Sequence, residues 1–296
     1  MAPLKYIVNS SAMLRVLSRE KPEVVLVVNP PVFAVLSAWV YCLFHKCAYV
    51  VDTHSGAFTA KRWSRLLWIY RFLSRRALMN ILHNEPLELE VAQWGARATS
   101  LGDIFYQLET NQAYSLRHGF NAVFACAYSE DEPLEEVIEA ARRMPSVNFY
   151  ITGSLQRAPQ KIIQKASENV IFTDFIPDRD YNALLQGSDV VLSLTASDCT
   201  MQNGAYEALA LGRPIITSDS PVLRKAYPRG AVFVDNSVEG IVGAINTVRD
   251  NYPRYLGDIK SLQGEFKAQG EKKLLALLEI LENWSQGRSP NGCSFC

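Results

Sequence analysis

Short apolar runs alternate with stretches of helical spacing along the whole chain. The first half offers VVLVV (24–28), CAYVVD (47–52), LMNIL (78–82) and ARATSL (96–101). Helical spacing covers 11–19, Val32 to about His45, 60–75 and 86–94. The second half offers NAVFACA (121–127), VNFYIT (147–152), NVIFT (169–173), DVVLSL (189–194), PIIT (214–217) and AVFV (231–234). Helical stretches at 133–143, 159–167, 179–186, 202–211 and 238–250 lie around these runs, and a last long helix is predicted from Ile259 to Trp284. Apolar runs of strand length separated by helices predict parallel sheets with helices on both faces.

The fold class expected is therefore α/β with two Rossmann-like domains. The first is incomplete, with four strands against six, and no glycine-rich turn follows a strand near the N-terminus. Expected boundaries are 1–107, 108–254 and 255–296, with the polar segment 102–120 as linker. A reduced first sheet predicts an exposed strand edge, open to a partner chain or a second copy. Residues 24–44 carry no charge, but Asn29, Pro30 and Pro31 interrupt them. Pro–Pro ends any continuous helix, and each piece is shorter than the ~20 residues a bilayer span needs. A buried strand and a buried helix are expected there, and no basic stretch marks a signal peptide.

Composition narrows the function. Thirty basic and thirty acidic side chains among 296 residues give zero formal charge, which disfavours a general nucleic-acid binder. Six cysteines, at 42, 47, 126, 199, 293 and 296, lack the spacing of a disulfide scaffold, so a reducing, cytoplasmic setting is expected. The terminal CSFC is half a zinc site without its second pair, and no metal is expected.

The most informative stretch is TMQNGAYEALALGRPIITSDSP, residues 200–221. It follows the apolar run Val190–Leu194 and reads as loop, helix, tight turn and strand. In an open parallel sheet this puts a helix start and a carboxylate at the carboxyl ends of neighbouring strands, where ligands bind. Helix-start amides suit a phosphate, and a carboxylate one turn further in can accept two hydrogen bonds from a ribose diol. Thr200 would serve as helix cap, and Gln202, Asn203 and Gly204 would present amides or merely begin the helix. Glu207 is the candidate ribose ligand, with a surface ion pair as its ordinary alternative.

This stretch resembles the donor-binding region of retaining glycosyltransferases of the GT-B fold, group 1. Their motif has two glutamates separated by seven residues, then Ala, a small residue, Gly and Pro. Glu207 matches the second glutamate, and Ala208, Gly212 and Pro214 follow in register. The first glutamate position falls on Cys199, with Asp198 beside it as substitute. The resemblance implies sugar transfer from a nucleotide-sugar donor to a glycan or lipid-linked acceptor, with no metal or cofactor required. It implies a role for His54, just past a strand end, in meeting the donor sugar or diphosphate; the plainer reading is a histidine holding its own turn. Relatives carry basic residues after the first strand of the second half, where this chain has Tyr128-Ser129-Glu130-Asp131-Glu132-Pro133. Those acids fit the first turn of a helix. Positive charge is expected instead from Arg157, after the turn at Gly153, or from Lys161, Arg224 and Lys225. Gly153 is expected to let the backbone approach a ligand.

The basic aromatic segment 61–76 suits either a membrane surface, with a peripheral location at its inner face, or a sheet-packed crossover helix. Two further readings stand beside transfer. One is a non-catalytic nucleotide-sugar-binding subunit that needs a partner; the other is a GT-B epimerase.

Overall fold

A computed structural model describes residues 2–101, 108, 112–197 and 201–287. The chain divides into two units, Met1–Ile104 with Gln269–Cys296, and Phe105–Ala268.

The first unit runs α1 (Ala2–Glu20), β1 (Val24–Asn29), α2 (Val32–Phe44), β2 (Ala48–Thr53), α3 (Gly56–Thr59), α4 (Lys61–Ser64), α5 (Leu67–Ser74), β3 (Met79–Leu82), α6 (Glu85–Gln93) and β4 (Ala98–Ser100). Its four strands are parallel and lie in chain order, β1-β2-β3-β4. The uncharged stretch 24–44 divides as its prolines require, and no described helix is long and apolar enough to cross a membrane. Val32, Val35, Ala38 and Tyr41 bury one face of α2. Val25, Val27 and Asn29 of β1 are buried, whereas Leu26 is 65% exposed and Val28 48% exposed. Among the described residues no strand pairs with the outer edge of β1.

The expected helix over 60–75 is instead two short pieces, α4 and α5, with α3 just before them. The helical path breaks where Ala60 turns extended and Leu66 leaves helical geometry. Trp63 meets the rings of Tyr6 and Phe33, and Tyr70 and Leu73 bury on α5. Asn84 caps α6 by accepting from Leu87 N.

Inside this unit a polar chain crosses the apolar core. Thr53 Oγ1 donates to Tyr70 Oη at 2.8 Å, and Tyr70 Oη donates to Asn80 Oδ1 at 3.3 Å. Asn80 Nδ2 donates to the carbonyls of Ser74 and Arg97, both at 2.9 Å. Asn80 therefore ties β3 to the end of α5 and the start of β4.

The second unit holds β5 (Phe120–Phe124), α7 (Leu134–Arg143), β6 (Val147–Thr152), α8 (Gln160–Ile163), β7 (Val170–Asp174), α9 (Asp178–Gly187), β8 (Val190–Ser193), α10 (Asn203–Ala210), β9 (Ile215–Ser218), α11 (Pro221–Ala226), β10 (Ala231–Val234) and α12 (Val238–Asp250). A last helix, α13 (Tyr252–Ser285), begins in this unit and ends in the first. There Leu277, Ile280, Leu281 and Trp284 pack on Ala48, Val50 and Met79. The second sheet is parallel in the order β10-β9-β8-β5-β6-β7. Val123, Phe124, Val191, Leu192, Ile215 and Ile216 are fully buried, as strands covered on both faces must be. The helix expected over 159–167 shortens to α8, and α11 was not expected although Ser220 caps it and Pro221 starts it.

Asn80→Leu is predicted to lower stability by ~2–4 kcal/mol, because Tyr70 and two carbonyls lose a buried partner. Leu26→Ala is predicted to stay within ~0.5 kcal/mol of the parent, as an exposed side chain. Urea unfolding checks both.

Candidate active site

In the second sheet the chain runs outward from β5 through β6 to β7, then returns to place β8 on the other side of β5. That reversal opens a crevice between the carboxyl ends of β5 and β8, the place where doubly wound sheets bind ligands. Helix α10 begins there. Gly204 is buried in its first turn, and a Cβ on Gly204 would stand 2.4 Å from Ala125 Cβ. A side chain would hold the helix off the sheet.

Gln202, just before α10, is a strut rather than a free amide. Its Oε1 accepts from Ser193 Oγ at 3.0 Å, and its Nε2 donates to Leu194 O at 2.9 Å. Asn203 is exposed at the helix start. Glu207 is half-buried one turn on, where its Oε2 accepts from Tyr181 Oη of α9 at 2.6 Å. Burial, and then the Glu207 charge, pushes the Tyr181 phenol well above its ordinary range. The hydroxyl stays protonated and fixes one carboxylate oxygen. The expectations placed on Asp198, Cys199 and Thr200 lie outside the described residues.

The acids after β5 are committed to the loop itself. Glu132 accepts from Ala127 N at 3.0 Å and from Ser129 N at 2.8 Å. Asp131 accepts from Thr195 Oγ1 at 2.5 Å, and its carbonyl accepts from Ala196 N at 2.7 Å, which binds the β5 and β8 loops together. These contacts, more than a helix start, account for the acidic run.

Gly153 ends β6 with φ +99°, and its missing Cβ would stand 2.4 Å from Cys126 O. The close approach there is to the β5 loop. Arg157 is exposed and in no ion pair with the described residues. Arg224, by contrast, is paired with Asp219, donating Nη2 to Oδ2 at 2.8 Å. That pairing holds the Asp219 carboxyl below its usual range and removes Arg224 as a ready source of positive charge.

The first unit brings a second group together, at the carboxyl ends of β2 and β3. His54 Nε2 lies 3.9 Å from Asp52 Oδ2, and His83 Nε2 lies 3.9 Å from Asp52 Oδ1. The two imidazole centroids are 4.3 Å apart. The ligating atoms of Asp52, His54 and His83 all lie within 4.8 Å of one another, so this trio is what could hold a metal ion among the described residues. The backbone of His54 does hold its turn, through Ala57 N to His54 O at 2.9 Å, while its imidazole side chain is half-exposed. Sequence reasoning gave His83 only a strand-end, helix-capping role beside Asn84, and missed Tyr181. A histidine ending the strand next to that of His54 was the legible signal for the first; nothing local signals the second.

Residues 121–251 match the family model described as glycosyl transferases group 1. That stretch is similar to a group 1 glycosyltransferase domain. Its α/β fold with parallel sheets is shared with solved GT-B proteins. Sucrose-phosphate synthase from Thermosynechococcus elongatus superposes with a TM-score of 0.70 at 14% identity, over 95% of this chain and 78% of that one. Anabaena Alr3699/HepE, solved in complex with UDP and glucose, gives 0.69 at 13% identity, over 90% and 81%. UDP-GlcNAc 2-epimerase from Neisseria meningitidis, bound to UDP-GlcNAc, gives 0.63 at 14% identity, over 91% and 80%. No curated protein matches the chain. The crevice, α10 and Glu207 all fall inside the matched glycosyltransferase domain.

Gly153→Ala is predicted to destabilise the domain by ~1–3 kcal/mol, through a positive φ and a clash with backbone. Arg157→Ala is predicted to leave stability unchanged. Thermal unfolding without any nucleotide separates the two.

Proposed function

We propose that this chain transfers a sugar from a nucleotide-sugar donor to a glycan or lipid-linked acceptor, with retention. The observation that carries the reading is the Glu207 carboxylate. It is held by Tyr181 at the start of α10, beside the crevice where the sheet order reverses. In this reading the Glu207 carboxylate accepts from the ribose diol. The start of α10, exposed at Asn203, meets the diphosphate with its amides, and Arg157 adds positive charge. Asp198 serves the donor sugar and Thr200 the nucleotide. His54 meets the sugar or the departing diphosphate. UDP-sugars are the first donors to try, because HepE holds UDP and glucose. The protein's task is positioning and charge stabilisation, so the bond from anomeric carbon to diphosphate breaks as the acceptor oxygen bonds to that carbon from the same face, its proton passing to the departing diphosphate. We take the reaction to need no metal.

A second reading is a nucleotide-sugar-binding subunit that works with a partner. It is favoured by the unpaired outer edge of β1, with Leu26 and Val28 exposed, and by acids where a diphosphate would approach. A panel of UDP-, GDP- and ADP-sugars decides between them. Turnover of any donor supports the transferase, and binding without turnover supports the subunit.

Glu207→Ala is predicted to weaken nucleotide binding by ~10- to 100-fold, the loss of charge-assisted hydrogen bonds worth ~1.5–3 kcal/mol. Tyr181→Phe is predicted to lose ~3- to 10-fold, since the carboxylate stays but is no longer aimed. Calorimetric titration with UDP measures both, and turnover in the presence of a chelator is predicted to be unchanged.

A further inference from the structure

The outward face of α5 is not the face of an ordinary surface helix. Tyr70 and Leu73 bury inward, yet Trp68 is 71% exposed and Phe72 41% exposed on the opposite side. A solvated helix face is polar. Here Trp68, Phe72 and Arg76 follow one another at four-residue spacing, so they form one stripe. The Arg76 guanidinium lies 3.6 Å over the Phe72 ring. The patch continues onto α2, where the Trp39 ring meets Phe72 edge-on with centroids 5.5 Å apart. Leu43, one turn along from Trp39, is 57% exposed, and its neighbour Phe44 is 78% exposed.

Charge says what would cover such a surface. The chain as a whole is neutral, but residues 32–84 carry seven basic side chains and one acid, Asp52, which sits at the end of β2. Lys46, Arg65, Arg71 and Arg75 are exposed beside the aromatic positions. A protein partner would need a dense acidic surface interleaved with apolar pockets. An anionic bilayer offers both at once, negative headgroups over an apolar layer, and Trp, Phe and Arg are the side chains that settle at that boundary.

We infer that the α2–α5 face is a peripheral membrane-docking surface that lies on an anionic lipid leaflet. Trp68, Phe72, Leu43 and Phe44 enter the headgroup boundary, and the arginines with Lys46 meet the phosphates. The attachment is reversible and in-plane, since no described helix can span a bilayer. It goes beyond the transferase reading and does not depend on it, because it requires no nucleotide.

The test uses the full chain and vesicles of phosphatidylcholine with or without phosphatidylglycerol. Binding is expected on the anionic vesicles, to weaken at least ~10-fold as salt rises to about 0.5 M, where the screening length is only a few ångströms. The double variant Trp68→Ser/Phe44→Ser is expected to lose about tenfold or more of that binding while keeping the parent's circular dichroism. Tryptophan emission supplies a readout on the unaltered protein, with quenching expected by lipids carrying a headgroup-proximal quencher. Equal binding to neutral vesicles overturns the inference. So does absent quenching, or a dimer that the double variant dissociates, which would make a second copy the occupant.

Discussion

How tightly α10 starts against the ends of β5 and β8 governs what the second unit can do. Gly204 leaves no room for a side chain beside Ala125. Gln202 fastens the approach to the helix onto Ser193 and Leu194. With the helix seated, Glu207 comes to the Tyr181 hydroxyl. A seat one side chain further out would move both the first-turn amides and the carboxylate away from the crevice. The same closeness recurs where Gly153 meets Cys126 O, and where Asp131 and Thr195 tie the two loops. The crevice is thus bounded by loop-to-loop hydrogen bonds at the ends of a largely apolar parallel sheet.

The first unit solves a different problem with simpler topology. Four strands in chain order leave no reversal within the sheet and expose one side of β1. Its stability rests on the buried chain of Thr53, Tyr70 and Asn80 and on the last turns of α13, which cover Ala48, Val50 and Met79. Asp52, His54 and His83 then stand at the ends of β2 and β3. Polar atoms at strand ends and apolar atoms below them follow from a sheet buried on its faces but open at its carboxyl edge.

Much of this was legible because each strand is short, apolar and bounded. Runs such as DVVLSL and VNFYIT leave little choice but parallel strands, and the Pro30–Pro31 break correctly divides an uncharged stretch. Glu207 was a candidate from its place before ALALGRP, but Tyr181, which donates to it, is 26 residues away and visible only once α9 and α10 pack. The acidic run after β5 read as a helix start, whereas Glu132 turns back to cap its own loop. Segment 60–75 kept helical spacing in sequence, yet its helix breaks at Leu66. For Tyr181 a contact distant in sequence decides what no local pattern shows, as tertiary packing does.

The account stands on the claim that Glu207, positioned by Tyr181, grips the ribose of a nucleotide. The direct measurement is a structure of the protein with UDP bound. The account predicts the ribose hydroxyls within hydrogen-bond distance of the Glu207 carboxylate, the diphosphate against the first turn of α10, and Tyr181 still donating. UDP lodged elsewhere, or a ribose that leaves Glu207 untouched, would contradict it.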